Sequence, residues 1–325
     1  MSDARASASG KVILLGEHAV VYGVPGLAAG IERGARARAT LRDRGPSSLE
    51  LGEARFVADT NGPDLARAFA ALLSGIDAPM EVHAEADLPP GGGLGCSAAL
   101  AVAIARAVMG ARDGGAKDDE DDARRAEVLE RAAAWEGIFH GNPSGIDTAA
   151  AALGTCLRFE RGKGARALAA PVDLWVAIGN SGKGASTKDM VEGIARLKER
   201  KPELIGKFLD GVRSLVDNAA LAIEAGDAAA VGKLLDLNQM LLAGVLLSTE
   251  SIEEMCAAAR STGALGAKLT GSGGGGCVIA LGGAASPGSQ GSEAELLAGR
   301  VVDAWGAIGK TGFVTRIAAS KENRS

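Results

Sequence analysis

The sequence predicts two domains of mixed helix and strand, and three observations lead there. A chain of 325 residues exceeds what one hydrophobic core usually organises and suits two domains of roughly 100–200 residues each. Hydrophobic residues at 47% and charged residues at 23% are ordinary for a globular protein. Strand-like and helix-like patterns occur in both halves, and their register changes around Pro171. The boundary is placed there, giving segments 1–171 and 172–325. Aromatics make up only 3%, so Ala, Val, Leu and Ile must fill the cores.

Taken in order, Lys11 to Leu15 predicts a strand that runs into "GEHAVVYGVPGLAAGI". Ile31 to Leu41 alternates apolar or small residues with arginine, the period of a half-exposed strand. Leu65 to Leu73 predicts a short helix and Met80 to Ala86 a strand. The stretch "DLPPGGGLG" then leads into an apolar helix from Ser97 to Met109. The acidic run Asp118 to Asp122 is expected to open the next helix, where carboxylates suit the positive end of the dipole. That helix ends before "NPSGID". In the second half, "VDLWVAIGNSG" predicts a strand, Lys188 to Arg260 is dominated by helical spacing, and "KLTGSGGGGCVIAL" reads as two strands around a glycine loop. A last helix and the edge strand "GFVTRIAAS" close the order.

Charge and cysteine usage narrow the function classes. The net charge of −5 argues against a general nucleic-acid binder, which needs a basic face to release counterions. Cys96, Cys156, Cys256 and Cys277 are scattered with no CxxC spacing, so neither a zinc site nor a redox pair is expected. With no secretory pattern at the N-terminus and no apolar run of ~18–20 residues, a cytoplasmic protein without a membrane span is expected.

Three glycine-bearing stretches bear on phosphate binding. Glycines ahead of a helix let successive backbone N–H groups converge on an anion, and the first-turn donors have no partner within the helix. "PPGGGLGCSAA", from Pro89 to Ala99, has that form, with Ser97 placed to cap the helix or to reach a phosphate-bound metal. Such a loop alone is a weak signal. "AWGAIGKT", Ala304 to Thr311, nearly matches a P-loop but lacks its first glycine. It also closes a helical run instead of opening one, so Gly309 reads as a helix-ending glycine. Gly273 to Gly276 suits either a flexible hairpin or, with Ser272 and Lys268, closure over an anion.

"GKVILLGEHAVVYG", "PPGGGLGCSAA" and "KLTGSGGGGC" together resemble the three motifs of the GHMP kinases, in the family's order and across nearly the whole chain. The resemblance implies an α+β fold of two domains: an N-terminal α/β domain with a left-handed crossover and a ferredoxin-like C-terminal domain. The first motif and "WEGIFHGNPSGID" are most similar to the branch that acts on mevalonate. Transfer of the γ-phosphate of ATP to the primary hydroxyl of mevalonate is therefore implied, with Mg2+ as the metal and a homodimer as the family expectation. The alternatives are phosphomevalonate or a sugar as acceptor, the related diphosphomevalonate decarboxylase, and a binding protein without catalysis. Retention of Lys11, Ser97, Glu136 and Asp147 speaks against the last.

Site residues follow from the resemblance, motif by motif. Pro90, Gly91, Gly92, Gly93, Leu94, Gly95, Cys96, Ser97 and Ala98 would cradle the nucleotide phosphates. Cys96 stands where the family usually has serine, and is expected to supply its backbone N–H. Ser97 and Glu136 would hold Mg2+, which accepts few protein ligands and keeps water and phosphate oxygens for the rest. Asp147 matches the base that receives the hydroxyl proton. Lys11 would pair with it and stabilise the attacking oxygen, an attraction of ~4 kcal/mol at ~4 Å and an effective dielectric near 20, before desolvation. Glu17, His18 and Thr187 would line the substrate end, and His140 would brace the turn that carries Asp147. Taken singly, Glu136 reads as an exposed helix carboxylate, Asp147 as a turn or cap residue and Lys11 as a solvated strand lysine. Only the flanking motifs change those readings.

Overall fold

A computed structural model of the chain describes residues 3–88, 92–115, 121–140 (the His140 side chain apart), 144–182 and 184–320. The chain divides into two compact units, each drawn from several segments: Met1–Lys11, Arg33–Pro89 and Gly95–Ala152 form the first, and Val12–Glu32, Pro90–Leu94 and Leu153–Ser325 the second.

The first unit begins with β1 (Asp3–Leu15) and takes up the second half of β2 (Gly26–Leu41). It continues through β3 (Ser48–Leu51), β4 (Ala54–Val57), α1 (Asp64–Leu72), β5 (Met80–Ala86), α2 (Cys96–Arg112), α3 (Asp122–His140) and α4 (Ile146–Leu153). Ala35–Leu41 of β2 runs antiparallel to β5, which lies parallel to β3, and β3 forms a hairpin with β4. Strand β1 starts eight residues before the predicted Lys11. Its early inward positions are Ala4 and Ala8, whose small side chains give the period-2 pattern little hydrophobic contrast. Along α2, residues Ala98 to Ala105 and Ala107 to Ala111 are buried, the signature of a helix covered on nearly all sides. Its one long polar side chain there, Arg106, donates to the carbonyls of Ser7 on β1 and Ala152 on α4, both at 2.7 Å. One helix thereby ties down the strand that carries Lys11 and the helix that carries Asp147.

The second unit holds the rest: β6 (Cys156–Glu160), β7 (Gly164–Ala167), β8 (Asp173–Asn180), α5 (Thr187–Arg200), α6 (Pro202–Glu224), α7 (Ala228–Gly244), α8 (Glu250–Ser261), β9 (Gly266–Thr270), β10 (Cys277–Ala285), α9 (Glu293–Ala307) and β11 (Thr311–Ile317). Four of its strands form one sheet in the order β11-β8-β10-β9, antiparallel throughout. That is the ferredoxin-like order, with α5 to α8 in the first crossover and α9 in the second. Helices α5, α7, α8 and α9 start at Ser186, Asp227, Thr249 and Ser292, each accepting a backbone N–H of the first turn. The near P-loop is the end of α9, with Gly309 at φ +74° just past it. Strand β9 lies at a sheet edge, and α7 closes it: Asp236 accepts from Ala267 N and Gln239 from Leu269 N, both at 2.9 Å. At the opposite end of the unit, the buried Asp173 carboxylate accepts from Gly288 N at 2.8 Å, Ala319 N at 2.7 Å and Arg316 at 2.9 Å. Among the described residues no helix is long and apolar enough to cross a membrane.

Candidate active site

In the first unit, helix α2 has a bare start. Gly95, at the N-cap position of α2, has φ +73°, and no side chain caps the helix there. The first-turn N–H groups are left for an anion. Gly95 also makes room: a Cβ on it would sit 2.5 Å from Lys11 Cγ. The lysine stem passes directly beside Gly95, and its Nζ reaches Asp147 Oδ1 at 3.0 Å. The Lys11 side chain is 6% exposed and that of Asp147 40%, so the carboxylate stays open to a reactant while the ammonium is fixed. Asp147 lies in the first turn of α4, after Gly145 at φ +87°.

Beside this pair, Ser97 Oγ donates to Glu136 Oε1, and Trp135 Nε1 donates to Ser97 Oγ at 3.2 Å. Glu136 is buried. One buried carboxylate and one hydroxyl, already converged and braced by an indole, fit the sparse ligand set that Mg2+ takes from a protein. Cys96 is half-buried, and burial, with Asp87 nearby, pushes its thiol pKa up, the opposite of an activated cysteine.

A second constellation lies wholly in the second unit. His18 is held at φ 60°; with Leu246 it is one of two non-glycine residues with positive φ among those described, a conformation costing roughly 1–2 kcal/mol. Its Nε2–H donates to the Ser272 carbonyl at 2.7 Å. A carbonyl only accepts, which places the ring proton on Nε2. Burial pushes the imidazole pKa down, against smaller opposing effects of Ser272 and Glu17, so the neutral ring presents Nδ1 as a bare lone pair. That atom is buried without a hydrogen-bond partner among the described residues. Ser272 also meets Thr187, whose Oγ1 lies 3.3 Å from Ser272 Oγ. Glu17, expected at the substrate end, is turned inward: its carboxylate accepts from Lys268 Nζ and, at 3.1 Å, from Asn238 Nδ2.

The sequence matches the profile of the GHMP kinases N terminal domain over residues 64–155 and that of the GHMP kinases C terminal over residues 219–306. The mevalonate kinase of Pyrococcus abyssi is 33% identical over 311 residues, spanning 88% of this chain and 89% of that protein. The chain belongs to the GHMP kinase family. The mevalonate kinase of Methanothermobacter thermautotrophicus is 35% identical to this GHMP kinase over 283 residues, 85% of this chain and 89% of that one. Among solved structures, L. major mevalonate kinase in complex with R-mevalonate matches it with a TM-score of 0.79 and 26% identity, over 97% of this chain and 96% of that chain.

Within this GHMP kinase, four of the residues singled out from sequence, Lys11, Ser97, Glu136 and Asp147, converge in one unit as two bonded pairs. Gly93, at φ +70°, and the buried Leu94 precede them in the loop, and Ala98 is buried in the first turn of α2. Pro90, Gly91, Pro143, Lys183 and the His140 side chain lie outside the described residues. Trp135 and Asn238 are not among the site residues that the motifs imply. Ser272 and Lys268 are expected only as partners of the glycine loop in closing over an anion, whereas Lys268 is fully buried and paired with the Glu17 carboxylate. A tryptophan beside Glu136 in "AWEG" and a lysine within an otherwise apolar strand are the local signals that mark Trp135 and Lys268.

Proposed function

We propose that this GHMP kinase transfers the γ-phosphate of ATP to the primary hydroxyl of mevalonate, with Mg2+ held by Ser97 and Glu136. The observation that carries the reading is the 3.0 Å Lys11–Asp147 pair lying against Gly95 at the open start of α2. Phosphoryl transfer to an alcohol needs an aligned hydroxyl, a destination for its proton and neutralised phosphate charge. The Asp147 carboxylate takes the proton as the alcohol oxygen bonds to phosphorus, and ADP leaves with the electron pair of the broken P–O bond. Lys11 offsets the negative charge growing on the attacking oxygen. The uncapped first-turn N–H groups of α2 hold the phosphates. When bound, Mg2+ supplies charge neutralisation on the phosphate oxygens. His18, through Nδ1, accepts a hydrogen bond from a substrate hydroxyl, and Thr187 and Ser272 hold the loop beside it.

Relatives named mevalonate kinase, at 33–35% identity over most of their length, support mevalonate as the acceptor. ADP release measured in parallel with mevalonate, phosphomevalonate, galactose and homoserine tests this. Turnover of mevalonate to a primary phosphomonoester, identified by 31P NMR, is expected. Turnover of phosphomevalonate or galactose without mevalonate would overturn the assignment.

A further inference from the structure

Strand β9 is buried along its whole length, and Lys268 is its one charged residue. The Lys268 side chain has no exposure and that of Glu17 has 1%. Two charges withdrawn from water and set against each other are a poor source of stability, because their desolvation offsets most of the attraction. The surroundings are nevertheless built around them. Lys268 Nζ donates to one Glu17 carboxylate oxygen and to the Leu269 carbonyl, and Asn238 Nδ2 donates to the other carboxylate oxygen. Asn238 leaves its own Oδ1 buried and without a partner among the described residues. Turning that amide over would set an oxygen against the Glu17 carboxylate, so the residue is kept for its donor. The two donors come from elements that cannot drift apart. Gly232 of α7 and Gly266 of β9 approach so closely that a Cβ on either would run into the other segment's backbone.

The carboxylate gripped in this way belongs to the residue before His18. The imidazole is then caught from the other side by Ser272, four residues beyond Lys268 on the segment that leaves β9. We propose that Lys268 and Asn238 are positioning residues that, by clamping Glu17, hold His18 in its left-handed conformation with Nδ1 presented to the alcohol substrate. The assignment of His18 to the substrate rests on the function proposed above, whereas the clamp is a property of this unit alone. A displacement of ~1 Å in a substrate-holding group is enough to cost ~10²-fold in reactivity, so a network with no contact to the reactants gains influence over the reaction.

The test uses the full chain with Lys268→Met and, as the milder variant, Asn238→Leu. With three histidines in the sequence, ring 13C and 15N signals are resolvable, and loss of one set in His18→Gln assigns it. The native protein is expected to keep the His18 ring neutral, with the proton on Nε2, at pH 7. In Asn238→Leu and Lys268→Met the same signals are expected to show both tautomers and to titrate near the ordinary value of about 6.5. In kinetics, KM for mevalonate should rise about 3–10-fold in Asn238→Leu and more than ~10-fold in Lys268→Met, with KM for ATP within about twofold of the native enzyme. A purely structural role would instead reduce the active fraction, lowering maximal rate with both KM values unchanged, and that result overturns the proposal. Unchanged His18 signals in folded Asn238→Leu also overturn it, so the decision does not depend on Lys268→Met folding. If the native enzyme fails to turn over mevalonate, the function reading falls and the ring signals still decide the clamp.

Discussion

Exchanging Asp147 for asparagine keeps the shape of the side chain and one oxygen for Lys11 while removing the proton acceptor. At 3.0 Å and an effective dielectric near 20, the full ion pair is worth ~5.5 kcal/mol of Coulomb attraction. The Asp147 side chain is 40% exposed, so solvent screening reduces what folding gains from it to ~1–2 kcal/mol. For a chain of this size such a change moves the unfolding midpoint by only a few degrees. Turnover should respond on another scale. A positioned base contributes ~10²–10⁴-fold, equivalent to ~2.7–5.4 kcal/mol on the barrier. Asp147→Asn is therefore expected to unfold within a few degrees of the native protein and to bind ATP normally, with kcat down by at least ~100-fold. Coupled measurement of ADP release at saturating ATP, Mg2+ and mevalonate reads this out. Lys11→Met should lose a comparable factor, and the double variant should be little worse than the poorer single one, because the two groups act as a unit. A folded Asp147→Asn enzyme within tenfold of the native rate would refute the role given to this pair.

Three further outcomes follow from the same geometry. Gly95→Ala places a Cβ 2.5 Å from Lys11 Cγ at φ +73°, so thermal unfolding should show a loss of ~1–2 kcal/mol from the backbone alone, and turnover should drop at least tenfold as the lysine is displaced. Glu136→Gln should shift the Mg2+ dependence of activity to ~10–100-fold higher concentration, read from rate against free Mg2+ at fixed ATP. His18 is buried with its pKa pushed below the ordinary 6.5, which fixes the sign of a pH effect. Above 6.5 folded and unfolded states are both neutral there and stability is intact. As pH falls below 6.5 toward the lower folded value, the unfolded state takes up a proton first, and stability drops by up to ~1.4 kcal/mol per pH unit. Unfolding midpoints measured between pH 7 and 5.5 should fall in the native protein and flatten over that range in His18→Gln.

How much of this was readable in advance differs by residue. Lys11, Ser97, Glu136 and Asp147 could be picked out because each sits in a motif whose glycines and prolines announce a constrained backbone. The four antiparallel strands of the second unit were legible too, since "LWVAIG" and "CVIAL" are apolar runs bounded by glycine. The hairpins β3–β4 and β6–β7 were missed because strands of four or five residues carry too little periodicity. Glu17 misled for a different reason. The motif "GEHAVV" implies a glutamate lining the substrate end beside His18, but its inward turn depends on Lys268 and Asn238, which lie 251 and 221 residues away. Strand β9 hides its lysine likewise: alternation would send Lys268 outward, but α7 covers the edge and makes every position an interior one. No local pattern encodes a partner on a distant helix.

Asp173 sets a timetable for the ribosome. It begins β8, an inner strand, yet the amide that completes its coordination belongs to Ala319, 146 residues downstream. At ~5–20 residues per second of synthesis, roughly 7–30 s pass between the emergence of the carboxylate and that of its last partner. Throughout that interval the apolar strand beside it has no finished sheet to join. A nascent chain that stops short of Ala319 therefore leaves this buried carboxylate one partner short.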